Sequence, residues 1–165
     1  LILEPQVEAH GSEMFAVLAD PALYEYENQP PSSVEWLRER FRRLEGRRSP
    51  DGTEGWLNWV VRLKEGGLIG YVQSTLRAES TAAIAYMLNS QYWGRGLASE
   101  AVHAMIQEIA THYKITTLTA VLKEKNTRSR NLLERNGFVL APQSVNVSLA
   151  IEPGEILMCR EVRLP

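Results

Sequence analysis

The part of the sequence that most restricts the fold is residues 81–109, where a strand pattern changes to a helical one across a turn. The run TAAIAYML at 81–88 is typical of a β-strand, and NSQYWGRGLASEA follows at 89–101. Helical spacing of apolar residues then begins, at Ala98, Ala101, Val102, Met105, Ile106 and Ile109. The closely spaced Gly94 and Gly96 let a backbone approach another group, and the helix start presents unpaired N–H groups to an anion.

The remaining segments alternate between strand and helix patterns. Strands are predicted at 1–5, 56–63, 68–76 and 115–122, with EGG at 65–67 as a hairpin turn, and in the tail near 144–150 and 155–162. Helices are predicted at about 10–18, from Val34 after a Ser32 or Ser33 cap, and after an Asn126 cap as far as Asn136-Gly137. This order predicts an α/β (α+β) fold, a mixed sheet with helices on both faces.

Length and composition favour one soluble domain covering residues 1–165. The net charge of −2 does not indicate nucleic acid or an acidic membrane as a partner. Cys159 is the one cysteine, so no disulfide can form within the chain, which favours a cytoplasmic location. No apolar run approaches the roughly 20 residues of a membrane span. The three histidines are scattered, so we expect no bound metal.

The glycine turn has competing interpretations. A Walker phosphate loop requires a motif that the sequence lacks. In a dinucleotide-binding motif Gly94 and Gly96 would fit, but Ser99 stands where the third glycine is required, and the next suitable acid, Glu124, comes too late. A helix start with a glycine hinge and no ligand remains an alternative for any single pair of glycines.

Three segments taken together resemble the GNAT family of N-acetyltransferases. Gln91-x-x-Gly94-x-Gly96-x-Ala98 is similar to the acetyl-CoA signature of that family, and IAYML at 84–88 resembles its fourth strand. NTRSRNLLERNGF at 126–138 resembles its N-x-x-S-x-x-L-x-x-x-x-G-F segment. The resemblance covers about residues 68–138 and is closest to the branch that includes ribosomal-protein alanine acetyltransferases. It implies a mixed, mostly antiparallel central sheet of about seven strands.

The resemblance also implies a reaction and a cofactor site. A primary amine, on a protein N-terminus or a small molecule, would attack the thioester of acetyl-CoA directly in a ternary complex, without a metal. The pantetheine arm would run between two splayed strands like an extra strand, with its amides bonded to the backbone of Met87 and Leu88. The N–H near Leu88 would polarise the thioester carbonyl, and Asn126 would hold the pantetheine arm, cap a helix, or do both. The cofactor-binding residues implied are Met87, Leu88, Gln91, Trp93, Gly94, Arg95, Gly96, Leu97, Ala98, Asn126 and Ser129.

The catalytic assignment departs from the family pattern. Many members carry a tyrosine at the position that Leu133 occupies here. Ser129 is the nearest hydroxyl in the matching segment, so Ser129 and Asn126 are the catalytic candidates, although Ser129 has the alternative of a plain helix hydroxyl. A CoA-binding sensor or interaction module without turnover is the alternative function.

Acceptor and partner assignments are more open. Tyr24, Glu25, Tyr26 and Glu27 offer aromatic and acidic groups to a cationic amine, or form a solvated loop. The arginine-rich segment at 38–48 is interleaved with acids and with a buried apolar stripe, which favours a solvated helix face over a surface for an acidic protein or a ribosome. The chain is expected to be a monomer or a homodimer.

Overall fold

A single mixed sheet organises the structure, a computed structural model that describes residues 1–26, 28–142 and 151–163. Seven strands pair in the order β1-β2-β3-β4-β5-β7-β6 within these residues. Their bounds are β1 Ile2–Pro5, β2 Gly55–Arg62, β3 Leu68–Arg77, β4 Thr81–Leu88, β5 Thr117–Lys123, β6 Val139–Leu140 and β7 Glu155–Glu161. The β4–β5 pair is parallel and the other pairs are antiparallel.

Four α-helices pack on this sheet in the described residues: α1 Gly11–Leu18, α2 Val34–Leu44, α3 Leu97–Tyr113 and α4 Thr127–Arg135. Their starts confirm the predicted caps, because Ser33 Oγ accepts the Trp36 N–H at 3.0 Å and Asn126 Oδ1 accepts the Ser129 N–H at 3.0 Å. The predicted stop of α4 is also present, with Gly137 in the left-handed region at φ +79°.

The two faces of the sheet carry separate cores. Val60 and Val61, neighbours on β2, are both fully buried and belong to different clusters, as expected when successive side chains alternate between faces. One cluster joins Val60 to Met14 and Leu18 of α1 and to Leu37 and Phe41 of α2. The other joins Val61 to the apolar faces of α3 and α4. Helices therefore cover both faces, as predicted.

The tail differs from the sequence prediction. The short strand β6 begins directly after Phe138 and pairs with β7, which the sequence pattern did not indicate. Because β6 contributes only Val139 and Leu140, it is too short to show a period of two. The strand predicted near 144–150 falls outside the described residues. The strand predicted near 155–162 is β7.

Pairing between β4 and β5 stops part-way along the two strands. Thr81, Ala82 and Ala83 pair with Thr117, Leu118 and Thr119, and the pairing does not extend to the rest of either strand. Residues 84–88 of β4 therefore leave the edge that faces β5 without a ladder partner, over roughly 16 Å of strand at about 3.3 Å per residue. This opening positions the candidate site.

Candidate active site

The opening between β4 and β5 presents backbone groups of alternate residues. The Asn89 N–H bonds to the Ile69 carbonyl of β3 at 2.9 Å, and directions alternate along a strand. The backbone groups of Leu88, like those of Tyr86 and Ile84, therefore face the opening, whereas those of Met87 face β3. Leu88 and Met87 are the two residues whose backbone was predicted to bond a pantetheine arm. Leu88 presents its N–H to the opening, whereas Met87 lines the cleft but has its backbone groups directed to β3.

The glycine turn joins this opening to the start of α3. Gly94 and Gly96 have φ of +74° and +75°, a region that L-residues with a Cβ rarely adopt, and a Cβ on either would meet no atom within 4 Å. The sequence therefore needs glycine here for its conformation, and both positions border open space. Gly96 caps α3 without a side-chain hydrogen bond, so the N–H groups of Leu97 and Ala98 remain available to an anion.

A cleft of about 480 Å³ connects the opening, the glycine turn and the start of α4. Most of the predicted cofactor residues line it: Met87, Leu88, Trp93, Gly94, Gly96, Leu97, Ala98, Asn126 and Ser129. Gln91 and Arg95 are exposed on the turn beside it, and the Arg95 guanidinium lies 5.7 Å from the centre of the Tyr92 ring. The fold thus brings the two distant sequence segments, 87–98 and 126–129, into one site.

The cleft contains a pair of hydroxyl groups that sequence reasoning only half identified. Tyr86 Oη lies 2.8 Å from Ser129 Oγ and 3.2 Å from the Ser129 carbonyl oxygen. Burial raises the pKa of Tyr86 to about 12, against a smaller opposing effect of the Ser129 hydrogen bond, so the phenol, which is neutral at pH 7 even at its ordinary pKa, stays neutral to still higher pH. Leu133, at the position where many family members have tyrosine, is 1% exposed and packs in the core.

Trp93 and Arg128 close one side of the cleft. The Trp93 indole N–H donates to the Leu88 carbonyl at 2.7 Å, and the Arg128 guanidinium stacks 3.6 Å from the centre of the indole ring. This contact bridges the glycine turn to α4. It also gives the Leu88 carbonyl a hydrogen-bond partner, whereas the Leu88 N–H faces the opening with no such partner among the described residues.

The end of α1 is fastened to the end of β4 by two polar contacts. Asp20 accepts the Ser90 N–H at 2.8 Å, and the Asn89 side-chain amide donates to the Val17 carbonyl at 3.1 Å. Hydrogen bonds to Asp20, foremost that of the Ser90 side chain, hold the pKa of its carboxyl below the usual range despite partial desolvation. We call Asp20 with Asn89 the α1–β4 latch. It ties the end of α1 to the end of β4, next to Leu88.

The predicted acceptor residues are dispersed. Tyr26 lines the cleft, whereas the Tyr24 hydroxyl donates to the Leu18 carbonyl at 2.7 Å, and burial raises the Tyr24 pKa to about 12. Glu25 is exposed and does not line the cleft, and Glu27 lies outside the described residues. The described residues on this side are instead uncharged: Ala22, Leu23, Tyr26, Asn28, Tyr71, Ala85 and Val121.

The arginine-rich segment lies on the outer face of α2 and in the turn after it. Arg38 pairs with Glu8 and Arg42 with Glu39, at 2.9 and 2.7 Å, and the Arg40 guanidinium is 5.8 Å from the centre of the Trp36 ring.

In the part of the chain that the structure describes, no group of three or more His, Cys, Asp or Glu residues could hold a metal, and no helix is long and apolar enough to cross a membrane.

Several functional candidates had no usable signal in the sequence. The Tyr86–Ser129 pair and the α1–β4 latch join residues that are far apart in the chain. Asn136 is a further example, since its side-chain amide donates at 2.9 Å both to Ser99 Oγ of α3 and to the Leu132 carbonyl of its own helix. The sequence indicated Asn136 only as part of a helix stop, because a single sequence contains no record of these contacts.

Comparison with known proteins finds similar sequences and similar folds. Residues 1–139 match the family model described as an acetyltransferase (GNAT) domain. The chain is 32% identical over 89 residues to a ribosomal-protein-serine acetyltransferase of Escherichia coli, an alignment that covers 52% of this chain and 49% of that protein. The chain thus matches about half the length of this curated relative.

Solved structures share the fold at low identity. One is RimL, a ribosomal α-N-protein acetyltransferase in complex with coenzyme A, with a TM-score of 0.79, 17% identity, and coverage of 99% of this chain and 94% of that one. Another is an aminoglycoside acetyltransferase in complex with coenzyme A, with a TM-score of 0.76, 17% identity, and coverage of 96% and 93%. These two similar folds carry names with different acceptors, so the fold alone does not identify the acceptor.

Proposed function

The chain belongs to the GNAT family of acetyltransferases, and we propose that it transfers the acetyl group of acetyl-CoA to the N-terminal α-amine of a protein or peptide. The observation that carries this proposal is the cleft in which the β4–β5 opening, the glycine turn and Ser129 meet. The acceptor class is suggested by the named activity of the Escherichia coli relative and by the lack of acidic side chains among the described residues that line the cleft.

The backbone of the cleft suits an acetyl-CoA thioester. The N–H groups at the start of α3 would bind the pyrophosphate, and the positive φ of Gly94 and Gly96 leaves space for it. The unpaired edge of residues 84–88 would bind the amides of the pantetheine arm as a neighbouring strand does. The Leu88 N–H would donate to the thioester oxygen as negative charge develops on it.

Ser129 is the group that we assign to the leaving sulfur. The amine nitrogen forms a bond to the acetyl carbon, the C–S bond breaks, and the Ser129 hydroxyl gives its proton to the sulfur. The amine loses its own proton to water, and Ser129 regains one from water, so coenzyme A leaves as the thiol. Ser129 is held for this role because its N–H is bonded to Asn126 Oδ1.

A peptide α-amine can bind without acidic side chains in the cleft, because a substantial fraction of it is neutral near pH 7. A peptide α-amine has a pKa of about 8, so about a quarter of it is neutral at pH 7.5, whereas only about one in a thousand amines with a lysine-like pKa of about 10.4 is neutral. Among the described residues that line the cleft, Arg128 and Arg135 are the charged ones and none is acidic. Such a lining disfavours polyamines and aminoglycosides, which carry several positive charges.

The test is release of CoA thiol from acetyl-CoA with a panel of acceptors. Peptides with a free N-terminal Ser or Ala are compared with amino acids, a polyamine and an aminoglycoside, and each peptide has an N-acetylated twin as its control. We expect release with the free peptides and none with the blocked twins. Turnover only with the polyamine or aminoglycoside would overturn the acceptor class, and binding of acetyl-CoA without any turnover would favour the non-catalytic module.

Glu25 and Glu27, two of the predicted acceptor residues, provide a second arm of that test. The hypothesis of a cationic acceptor site predicts that Glu25→Gln and Glu27→Gln weaken amine affinity, whereas the proposal made here predicts unchanged KM for a free-N-terminal peptide.

A further inference from the structure

Tyr86 is placed to control the proton of Ser129. It lies on β4 with its side chain on the α3–α4 face of the sheet, together with the buried Ile84 and Leu88, and it reaches Ser129 at the first turn of α4. The Oη–Oγ distance of 2.8 Å and the Oη–carbonyl distance of 3.2 Å place both Ser129 oxygens within hydrogen-bond distance of one phenol.

The hydrogen bonds available to Ser129 restrict where its proton can point. Its N–H is committed to Asn126 Oδ1, and its carbonyl can only accept. The phenol has one proton. When it donates to Ser129 Oγ, the serine proton must point elsewhere, and Ser129 lines the cleft. When the phenol donates to the Ser129 carbonyl, the serine proton bonds Oη and is withdrawn from the cleft.

The segment 126–138, which resembles the family segment that usually carries the catalytic tyrosine, contains no tyrosine in this chain. Leu133, at the position where a tyrosine is common in the family, is a buried aliphatic side chain that also lines the cleft. The phenol comes instead from the facing strand β4, and like any tyrosine of ordinary or raised pKa it is protonated at neutral pH.

We propose that Tyr86 is the positioning residue of the acyl-transfer step, donating its hydrogen bond to Ser129 Oγ so that the serine proton points to the leaving sulfur. This inference rests on the proposed function. Tyr86 transfers no proton overall, and its hydrogen bond stabilises the charge that builds on Ser129 Oγ while the serine proton moves to sulfur.

A double-mutant cycle tests the coupling of the two hydroxyls. Tyr86→Phe, Ser129→Ala and the double variant are compared with Tyr113→Phe, a partly exposed tyrosine at the end of α3, as the matched control. We expect Tyr86→Phe to lower kcat at least tenfold with the Kd of acetyl-CoA within twofold of the wild type. We expect the double variant to equal Ser129→Ala, because the phenol acts only through the serine.

Three results would overturn the inference. These are an unchanged kcat in Tyr86→Phe, a double variant whose loss is the product of the single losses, or a loss of turnover that disappears when acetyl-CoA is saturating. Should Tyr86→Phe unfold, a fluorinated tyrosine at position 86 retains the hydroxyl and changes its acidity. The kcat must then change with that acidity, and an unchanged kcat refutes the role.

Failure of the proposed function gives a different pattern. A wild type that binds acetyl-CoA but turns over no amine removes both proposals, because no acyl transfer remains for the pair to serve. An active wild type with an equally active Tyr86→Phe variant removes only the inference about Tyr86.

Discussion

Replacement of Gly96 by alanine tests whether the glycine turn holds phosphate. Gly96 has φ +75°, and a Cβ there would meet no atom within 4 Å, so the stability cost is conformational and involves no clash. An L-residue in the left-handed region costs about 1–2 kcal/mol. For a chain of 165 residues this lowers the melting temperature by roughly 2–8 °C.

The expected effect on acetyl-CoA binding is larger than this stability cost suggests. The methyl group would enter the space between the α3 N–H groups and the pyrophosphate. Loss of one hydrogen bond to a charged group costs about 1.5–3 kcal/mol, which corresponds to roughly 10- to 150-fold weaker binding. Gly96→Glu adds a carboxylate at the same place, so we expect it to abolish binding.

Gly52→Ala is the matched control. Gly52 has φ +73° and equally open surroundings, but it lies in the loop between α2 and β2 and does not line the cleft. We expect the same fall in melting temperature for both alanine variants and a changed Kd, measured by calorimetric titration with acetyl-CoA, for Gly96→Ala alone. Wild-type affinity in Gly96→Ala would refute the assignment of phosphate to this turn.

Three further predictions concern contacts around the cleft. Acetyl-CoA should change the tryptophan fluorescence of the wild type but not of Trp93→Phe, because this indole contacts Leu88 in the cleft; an equal change in both would contradict the contact. Asp20→Asn should lower the melting temperature at pH 7. Since the folded pKa of Asp20 is depressed, that difference should shrink as the pH falls below about 4, and a constant difference from pH 7 to pH 3 would argue against the latch. Asn136→Ala should cost about 1–3 kcal/mol in urea unfolding, against at most about 0.5 for the exposed Asn131→Ala; equal costs would exclude Asn136 as a tie between α3 and α4.

Local features of the fold could be predicted from the sequence because their signals are local. The caps of α2 and α4 depend on Ser33 and Asn126, whose side chains bond backbone groups three residues on. The strands β2, β3 and β4 follow from apolar and β-branched runs bounded by turn residues. The strand β6 could not be predicted, because its pairing with β7 is decided by the partner strand rather than by its own two residues.

The candidate site likewise contains parts with a local sequence signal and parts without one. The end of β4, the glycine turn and the segment that begins at Asn126 are contiguous motifs, and their resemblance to family segments gave nine of the residues that line the cleft. The aromatic and acidic residues at 24–27 gave a weaker prediction of the acceptor site, because composition does not show which way a side chain points. The half-buried Tyr24 is hydrogen-bonded to the Leu18 carbonyl, and Glu25 is exposed and does not line the cleft.

The sequence by itself determined the order of the four helices and of strands β1 to β5, the positive-φ turn before α3 and the hydroxyl at Ser129, since each depends on neighbouring residues. Only the tertiary structure decided that β4 and β5 separate after Ala83, that Tyr86 meets Ser129, and that Asp20 joins α1 to β4. The reason is physical. These contacts form between segments that approach only when the two cores pack on opposite faces of the sheet, and no local propensity encodes that approach.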